Sequence, residues 1–345
     1  MSDLGESIAA TQSRVNHRRA LTSASASGKV ILFGEHAVVY GRPAIAVPVT
    51  DVQATAVVDR GPKGQGVVIC ATDLGLHHRL DQAATAGQAA YPLEVTVRNA
   101  LRSLGQDTAA DLTVTVSSTV PMASGMGSGA AVATAMVRAL ALFFGRRMGA
   151  QEVSDLVYQT EVIHHGTPSG IDNAVIAFEQ PVYFVRGRPI EVLRVRRPFA
   201  LAIGDTGIQS PTRVAVGDVR REWEADPQKY DAWFDRIGAI AALARRAIET
   251  GAEAALGDLM NQNQELLRAI GVSCPELETL ISAARAAGAA GAKLCGAGRG
   301  GNMIALVTPE SASEVAASLR ASGAVRVIVT RVEQTGRGLH PPQPG

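Results

Sequence analysis

The run Pro121-Met122-Ala123-Ser124-Gly125-Met126-Gly127-Ser128-Gly129-Ala130-Ala131 is built to bring bare backbone N–H groups together. An alternating, strand-like segment from Asp111 to Val120 leads into it, and an apolar, helix-like run from Ala131 to Phe144 follows. A strand, a glycine-serine turn and a helix can hold an anion. The turn offers unpaired N–H donors, and the helix adds the positive end of its dipole. Phosphate is the usual ligand of such a turn. The run is not a dinucleotide fingerprint, because Ala130 stands where a third glycine would be needed, and the chain has no Walker A sequence. Taken alone, it reads equally as a tight turn that lets a helix pack closely.

Three further segments carry residues suited to chemistry. The first, Gly28-Lys29-Val30-Ile31-Leu32-Phe33-Gly34-Glu35-His36, places a cation, a carboxylate and an imidazole within eight positions. Such a set suits an anionic, hydroxylated small molecule. Singly, Lys29 reads as a solvated strand end and His36 as a structural histidine. The second is Glu161-Val162-Ile163-His164-His165-Gly166-Thr167-Pro168-Ser169-Gly170-Ile171-Asp172-Asn173. Glu161 falls in the last turn of a helix, where an anion opposes the dipole unless a cation such as Mg²⁺ sits beside it. Asp172 follows a Pro-Ser-Gly turn that fixes its backbone, as a catalytic carboxylate requires. His164 and His165 diverge by about 100° on a helix, which favours structural roles over a shared metal. The third is Lys293-Leu294-Cys295-Gly296-Ala297-Gly298-Arg299-Gly300-Gly301-Asn302, a second glycine-rich loop, here before a strand. It reads either as a place where a ligand approaches the backbone or as a bulged hairpin. Cys295 has no base near it in sequence, which argues against a nucleophile.

The elements that must position these residues alternate irregularly. Short β-branched runs at 44–49, 52–58 and 66–70 predict strands, and Tyr91 to Leu104 and Glu152 to His164 predict helices. Ala174 to Val195 and Phe199 to Ile203 have strand character. Trp233 to Leu267 predicts two helices broken near Gly251, and Leu277 to Ala287 a further one. A strand at 303–307, a helix at 311–322 and a strand at 325–332 follow. Strands and helices without strict βα alternation predict an α+β protein in two lobes. The expected divisions are a flexible leader at 1–20, an N-terminal domain at 21–178, a C-terminal domain at 179–337 and a flexible tail at 338–345.

Composition narrows the partners. The chain has 345 residues, 46% of them hydrophobic, which is enough for a large core. A formal net charge of +1 provides no global field for nucleic acid or an anionic membrane. No apolar run is long enough to span a bilayer, and the first 20 residues lack a signal-peptide pattern. Cys70, Cys274 and Cys295 cannot all pair and fit no zinc template, so a reducing cytoplasm is the expected location.

Together, in this order and from about Thr22 to the last strand, the four segments resemble the GHMP kinase superfamily. Galactokinases also carry Gly-Glu-His, but theirs continues into Thr-Asp-Tyr and has arginine near the position of Lys29. Gly34-Glu35-His36-Ala37-Val38-Val39, Gly166-Thr167-Pro168-Ser169-Gly170-Ile171-Asp172-Asn173 and Met260-Asn261-Gln262-Asn263-Gln264-Glu265-Leu266-Leu267 look like the mevalonate kinase branch. The resemblance implies ATP-dependent phosphorylation of the C5 hydroxyl of mevalonate in isoprenoid synthesis. It implies an N-terminal lobe like ribosomal protein S5 domain 2, a ferredoxin-like C-terminal lobe, a site between them and a homodimer.

The resemblance also implies roles. Pro121, Ser124, Gly125, Met126, Gly127, Ser128 and Gly129 would wrap the ATP phosphates. Glu161 and Ser128 would hold Mg²⁺, Asp172 would be the base with Lys29 beside it, and Glu35, His36 and Thr212 would contact mevalonate. The chain departs from the pattern at three places. Gly129 replaces a second serine, Arg299 interrupts a nearly continuous glycine loop, and Ser27 stands where proline is usual. Phosphomevalonate kinase is the nearest rival, but an extra substrate phosphate would call for a basic cluster that these segments do not show. Diphosphomevalonate decarboxylase shares the fold but does not normally carry the Gly-Glu-His-Ala-Val-Val run.

Overall fold

The structure is a computed structural model that describes residues 22–334 except 86, 123, 166, 167 and 211. The expected leader and tail, and the His164 and His165 side chains, lie outside the described set. Strand β1 (Thr22–Phe33) pairs antiparallel with β2 (Ala44–Arg60). The sequence predicts two strands at 44–58, but the structure has one that bends. Its residues 50–52 oppose the single step from Ser27 to Gly28 on β1, where the register slips. A bulge of this kind turns a strand. The outer half of β2 therefore pairs with β5 (Leu112–Ser118) and the inner half with β6 (Val182–Phe184). Lys29 sits at the bend.

Strands β3 (Val67–Ala71), β4 (Leu76–Arg79) and β7 (Glu191–Val192) complete a sheet ordered β4-β3-β5-β2-β6-β7, with β1 on β2. Helices α1 (Ala90–Ser103), α2 (Ser128–Phe143), α3 (Ala150–His165) and α4 (Ile171–Phe178) form the helical layer. Helix α2 packs on β1 and β2 and also touches α1, α3 and α4, which explains why it is apolar on nearly every side.

Two expectations need correcting. Residues 174–178, expected as the start of a strand, belong to the helix Ile171–Phe178. A short apolar run buried on all sides looks the same in either form, and Gly170 at φ 92° starts the helix. The first lobe also extends beyond 178, because β6 and β7 belong to its sheet. The second begins with β8 (Phe199–Asp205).

The second lobe continues through α5 (Thr212–Ala225), α6 (Pro227–Thr250), α7 (Glu253–Ile270), α8 (Pro275–Ala286), β9 (Gly291–Leu294), β10 (Asn302–Val307), α9 (Ala312–Ala321) and β11 (Arg326–Val332). Its sheet runs β11-β8-β10-β9, all antiparallel. That is the fourth, first, third and second strand in chain order, the ferredoxin-like arrangement the resemblance implies. Helix α5 has no counterpart in the sequence reading: it is amphipathic but polar on average, and Ala215 and Val219 are its buried residues. Buried apolar side chains form a continuous core through both lobes, and α6 and α7 pack against β1.

Candidate active site

A cavity of about 1660 Å³ opens between the lobes. It is lined by the bend of β1, the start of α2, the end of α3, the start of α4 and one face of α5. Lys29 and Asp172, 143 positions apart, meet in it at 2.8 Å. Lys29 is 3% exposed, while the Asp172 side chain keeps 26% of its surface open. Asp172 stands in the first turn of α4, where the helix dipole favours its charge. Burial works against the Lys29 charge, but Asp172, Cys295 and Glu161 outweigh it and hold its pKa above the ordinary lysine value. Lys29 is not a solvated strand end.

Glu161, in the last turn of α3, is 3% exposed and lines the same cavity. Burial, reinforced by the Asp172 charge and opposed by Lys29, raises its pKa to about 8. Two carboxylates and one ammonium thus share a poorly solvated corner.

The glycine-serine turn has the geometry of an anion cradle. The first α2 hydrogen bond runs from Ala131 N–H to Gly127 O at 2.9 Å, so the N–H groups of Ser128, Gly129 and Ala130 precede it. Gly127 has φ 72°, and a Cβ there would lie 2.9 Å from Ile176 Cδ1 and 3.0 Å from Lys29 Cγ. A side chain at 127 would push Lys29 aside. Pro121, Gly125, Gly127, Ser128 and Gly129 line the cavity. Ser124 and Met126 are buried and anchor the turn from beneath. Met126 O accepts from Lys29 N–H at 3.0 Å, and Ser124 O accepts from Asn302 Nδ2 at 2.6 Å.

The cavity wall also includes His36, Thr212 and the α5 face of Arg213, Val216, Gly217 and Arg220. His36 Nε2 lies 3.0 Å from Ala297 O. A carbonyl only accepts, so Nε2 carries the proton and Nδ1 is left as an acceptor. Nδ1 is buried and has no partner among the described residues. Burial lowers the His36 pKa to about 4, despite the bond to Ala297 and aided by the charge of Arg299. The ring is neutral near pH 7, with its Nδ1 lone pair enclosed behind the cavity wall.

Glu35 does not join His36 in the cavity. It is 1% exposed and bonded to Lys293 Nζ and Asn263 Nδ2. Arg299 is exposed and pairs with Asp218 on α5. Cys295 is buried, and burial raises its thiol to about 11, so it is no nucleophile. The sequence reading assigns no role to Asn263, Lys293 or Asn302. A signal for the first exists: Met260, Asn263, Gln264 and Leu267 form one buried helical stripe, and polar residues on such a stripe must have partners.

Comparison with known proteins shows what the chain resembles as a whole. The description "GHMP kinases N terminal domain" matches residues 92–180 and "GHMP kinases C terminal" matches 240–325. A mevalonate kinase of Thermococcus sibiricus is 34% identical over 331 residues, covering 91% of this chain and 96% of that protein. The crystal structure of L. major mevalonate kinase in complex with R-mevalonate superposes with a TM-score of 0.78 at 29% identity, over 90% of this chain and 95% of that one. Streptococcus pneumoniae phosphomevalonate kinase superposes at a TM-score of 0.76 with 15% identity, over 90% and 99%. That last likeness shows the fold alone.

Proposed function

The chain belongs to the GHMP kinases, in their mevalonate kinase branch, and we propose that it transfers the γ-phosphoryl group of ATP to the C5 hydroxyl of (R)-mevalonate. The observation that carries the reading is the Lys29–Asp172 pair, open to the cavity and seated beside the α2 N-terminus. The phosphates lie on the N–H groups that open α2. Asp172 receives the hydroxyl proton and Lys29 offsets charge on the transferring group. His36 and Thr212, both in the cavity wall, orient the acceptor.

A carboxylate is far too weak a base to strip an alcohol before bonding begins. Asp172 therefore takes the proton as the O–P bond forms. A loose transition state permits this, since positioning and charge neutralisation carry most of its catalysis.

The residues present suit Mg²⁺. Among the described residues no group of three or more His, Cys, Asp or Glu side chains could hold a metal by itself. Mg²⁺ does not need one, because it binds through one or two carboxylates plus substrate phosphates and water. Glu161, its carboxylate buried beside Asp172, would gain from a cation, and Ser128 stands at the edge of the phosphate turn. When bound, the ion would neutralise phosphate charge. Gly129 supplies no hydroxyl, so Glu161 is the main protein ligand in this reading.

The test compares mevalonate, phosphomevalonate and mevalonate diphosphate as acceptors, reading ADP and CO₂. Turnover with mevalonate and no CO₂ is expected. Preference for either phosphorylated compound would replace this reading with one of its rivals. Among the described residues no helix is long and apolar enough to cross a membrane. A cytoplasmic homodimer is part of the proposal, and light scattering of the purified chain checks the assembly.

A further inference from the structure

Glu35, Lys293 and Asn263 form a charged cluster that phosphoryl transfer does not use. The side chains of Glu35 and Lys293 have no exposed surface, and Asn263 is equally enclosed. Lys293 Nζ donates to Glu35 Oε1 and, at 2.7 Å, to Leu294 O; Asn263 Nδ2 donates to Glu35 Oε2 at 3.1 Å. The carboxylate comes from the first lobe, just after β1. The two donors come from β9 and α7 of the second.

The residue next to Glu35 is His36, and its backbone is unusual. At φ 59° and ψ −50°, with Ala37 N–H reaching Glu35 O at 2.6 Å, it forms the positive-φ γ-turn, which is rare and strained. Strain of this kind persists only where the surroundings over-determine it. Before the turn, Gly34 has φ 98°, and a Cβ there would lie 2.5 Å from Ala44 Cα, so the chain enters against the start of β2. After it, the His36 ring is tied to Ala297 O in the loop that leaves β9. Between these, the Glu35 side chain is fixed by the enclosed ammonium of Lys293. The γ-turn is therefore held from both lobes, its backbone by its own and the Glu35 and His36 side chains by the opposite one.

We infer that Lys293 is a positioning residue for the mevalonate side of the site: through Glu35 it clamps the γ-turn and so holds the His36 ring in the cavity wall. The inference rests on the reading of His36 as an acceptor ligand. It gives the enclosed polar cluster a task that burial alone does not explain, since a buried ion pair is no more stabilising than well-packed apolar residues.

The test uses Glu35→Gln/Lys293→Met, which leaves no unpaired buried charge, His36→Ala, and the three changes combined. For each, kcat and the KM of mevalonate and of ATP are measured, with the melting midpoint as a folding control. The clamp predicts that His36→Ala and the neutral pair each raise the mevalonate KM about tenfold or more, while the ATP KM stays within about twofold. Combining them adds little, because both act through one imidazole. Asn263→Leu, which keeps the ion pair, shows a smaller rise with the same selectivity and serves if the neutral pair does not fold. A neutral pair with the midpoint and mevalonate KM of the parent overturns the clamp, as does an effect that multiplies with that of His36→Ala. A mevalonate KM insensitive to His36→Ala overturns both the clamp and the assignment of His36. A sensitive His36 with an insensitive pair overturns the clamp alone.

Discussion

Two lysine–carboxylate pairs flank the same stretch of β1, and they are solvated differently. Lys29–Asp172 is buried at the ammonium but keeps 26% of the Asp172 side chain open to the cavity. Glu35–Lys293 is sealed at both ends. An open pair can change partners: its carboxylate can take a proton and its ammonium can turn to a phosphoryl oxygen. A sealed pair has no route to either. The same two kinds of residue thus serve reaction in one place and alignment in the other, and access to the cavity makes the difference.

Breaking the open pair should affect rate most. Asp172→Asn and Lys29→Met are each expected to lower kcat by at least about 10²-fold, the scale for losing a general base or an electrostatic donor. Turnover near the parent level in either variant would remove the assignment.

The sealed pair should respond in stability instead. Lys293→Met alone leaves the Glu35 carboxylate buried without its partner, and a loss of about 3–5 kcal/mol in urea unfolding is expected. Adding Glu35→Gln should restore most of it. If the single variant is as stable as the parent, the distinction between the two pairs fails.

The smallest effect comes from the residue between them. His36 has a folded pKa of about 4, below its ordinary 6.5, so between these values the unfolded chain takes up a proton that the folded one refuses. Stability is therefore full above pH 6.5 and falls as the pH drops toward 4. The loss amounts to about 3 kcal/mol. Urea titrations at stepped pH should show this slope, and His36→Gln should remove its share.

Much of the site was legible before any fold was known. Most of the glycine-serine turn, with Lys29, Glu161, Asp172 and His36, lines the cavity, each drawn from a segment whose composition already suited anion chemistry. Glu35 was misjudged because a carboxylate beside a cavity residue looks like a cavity residue; the γ-turn sends the two side chains apart. Helix α4 read as a strand because an apolar run buried on every side has no period to betray it. Helix α5 was passed over for the opposite reason, since it buries too little.

The sequence by itself determined the chemistry available: a glycine turn before an apolar helix, a fixed aspartate, one lysine and one histidine, in an order resembling a kinase superfamily. These are local properties, set by residue type and spacing within a few turns of chain. Only the tertiary structure decided which charges meet. Lys29 reaches Asp172 and Lys293 reaches Glu35 because a three-residue bulge bends β2 and a second lobe closes over β1. Contacts across more than a hundred residues depend on how sheets and helices pack, and no local pattern encodes them.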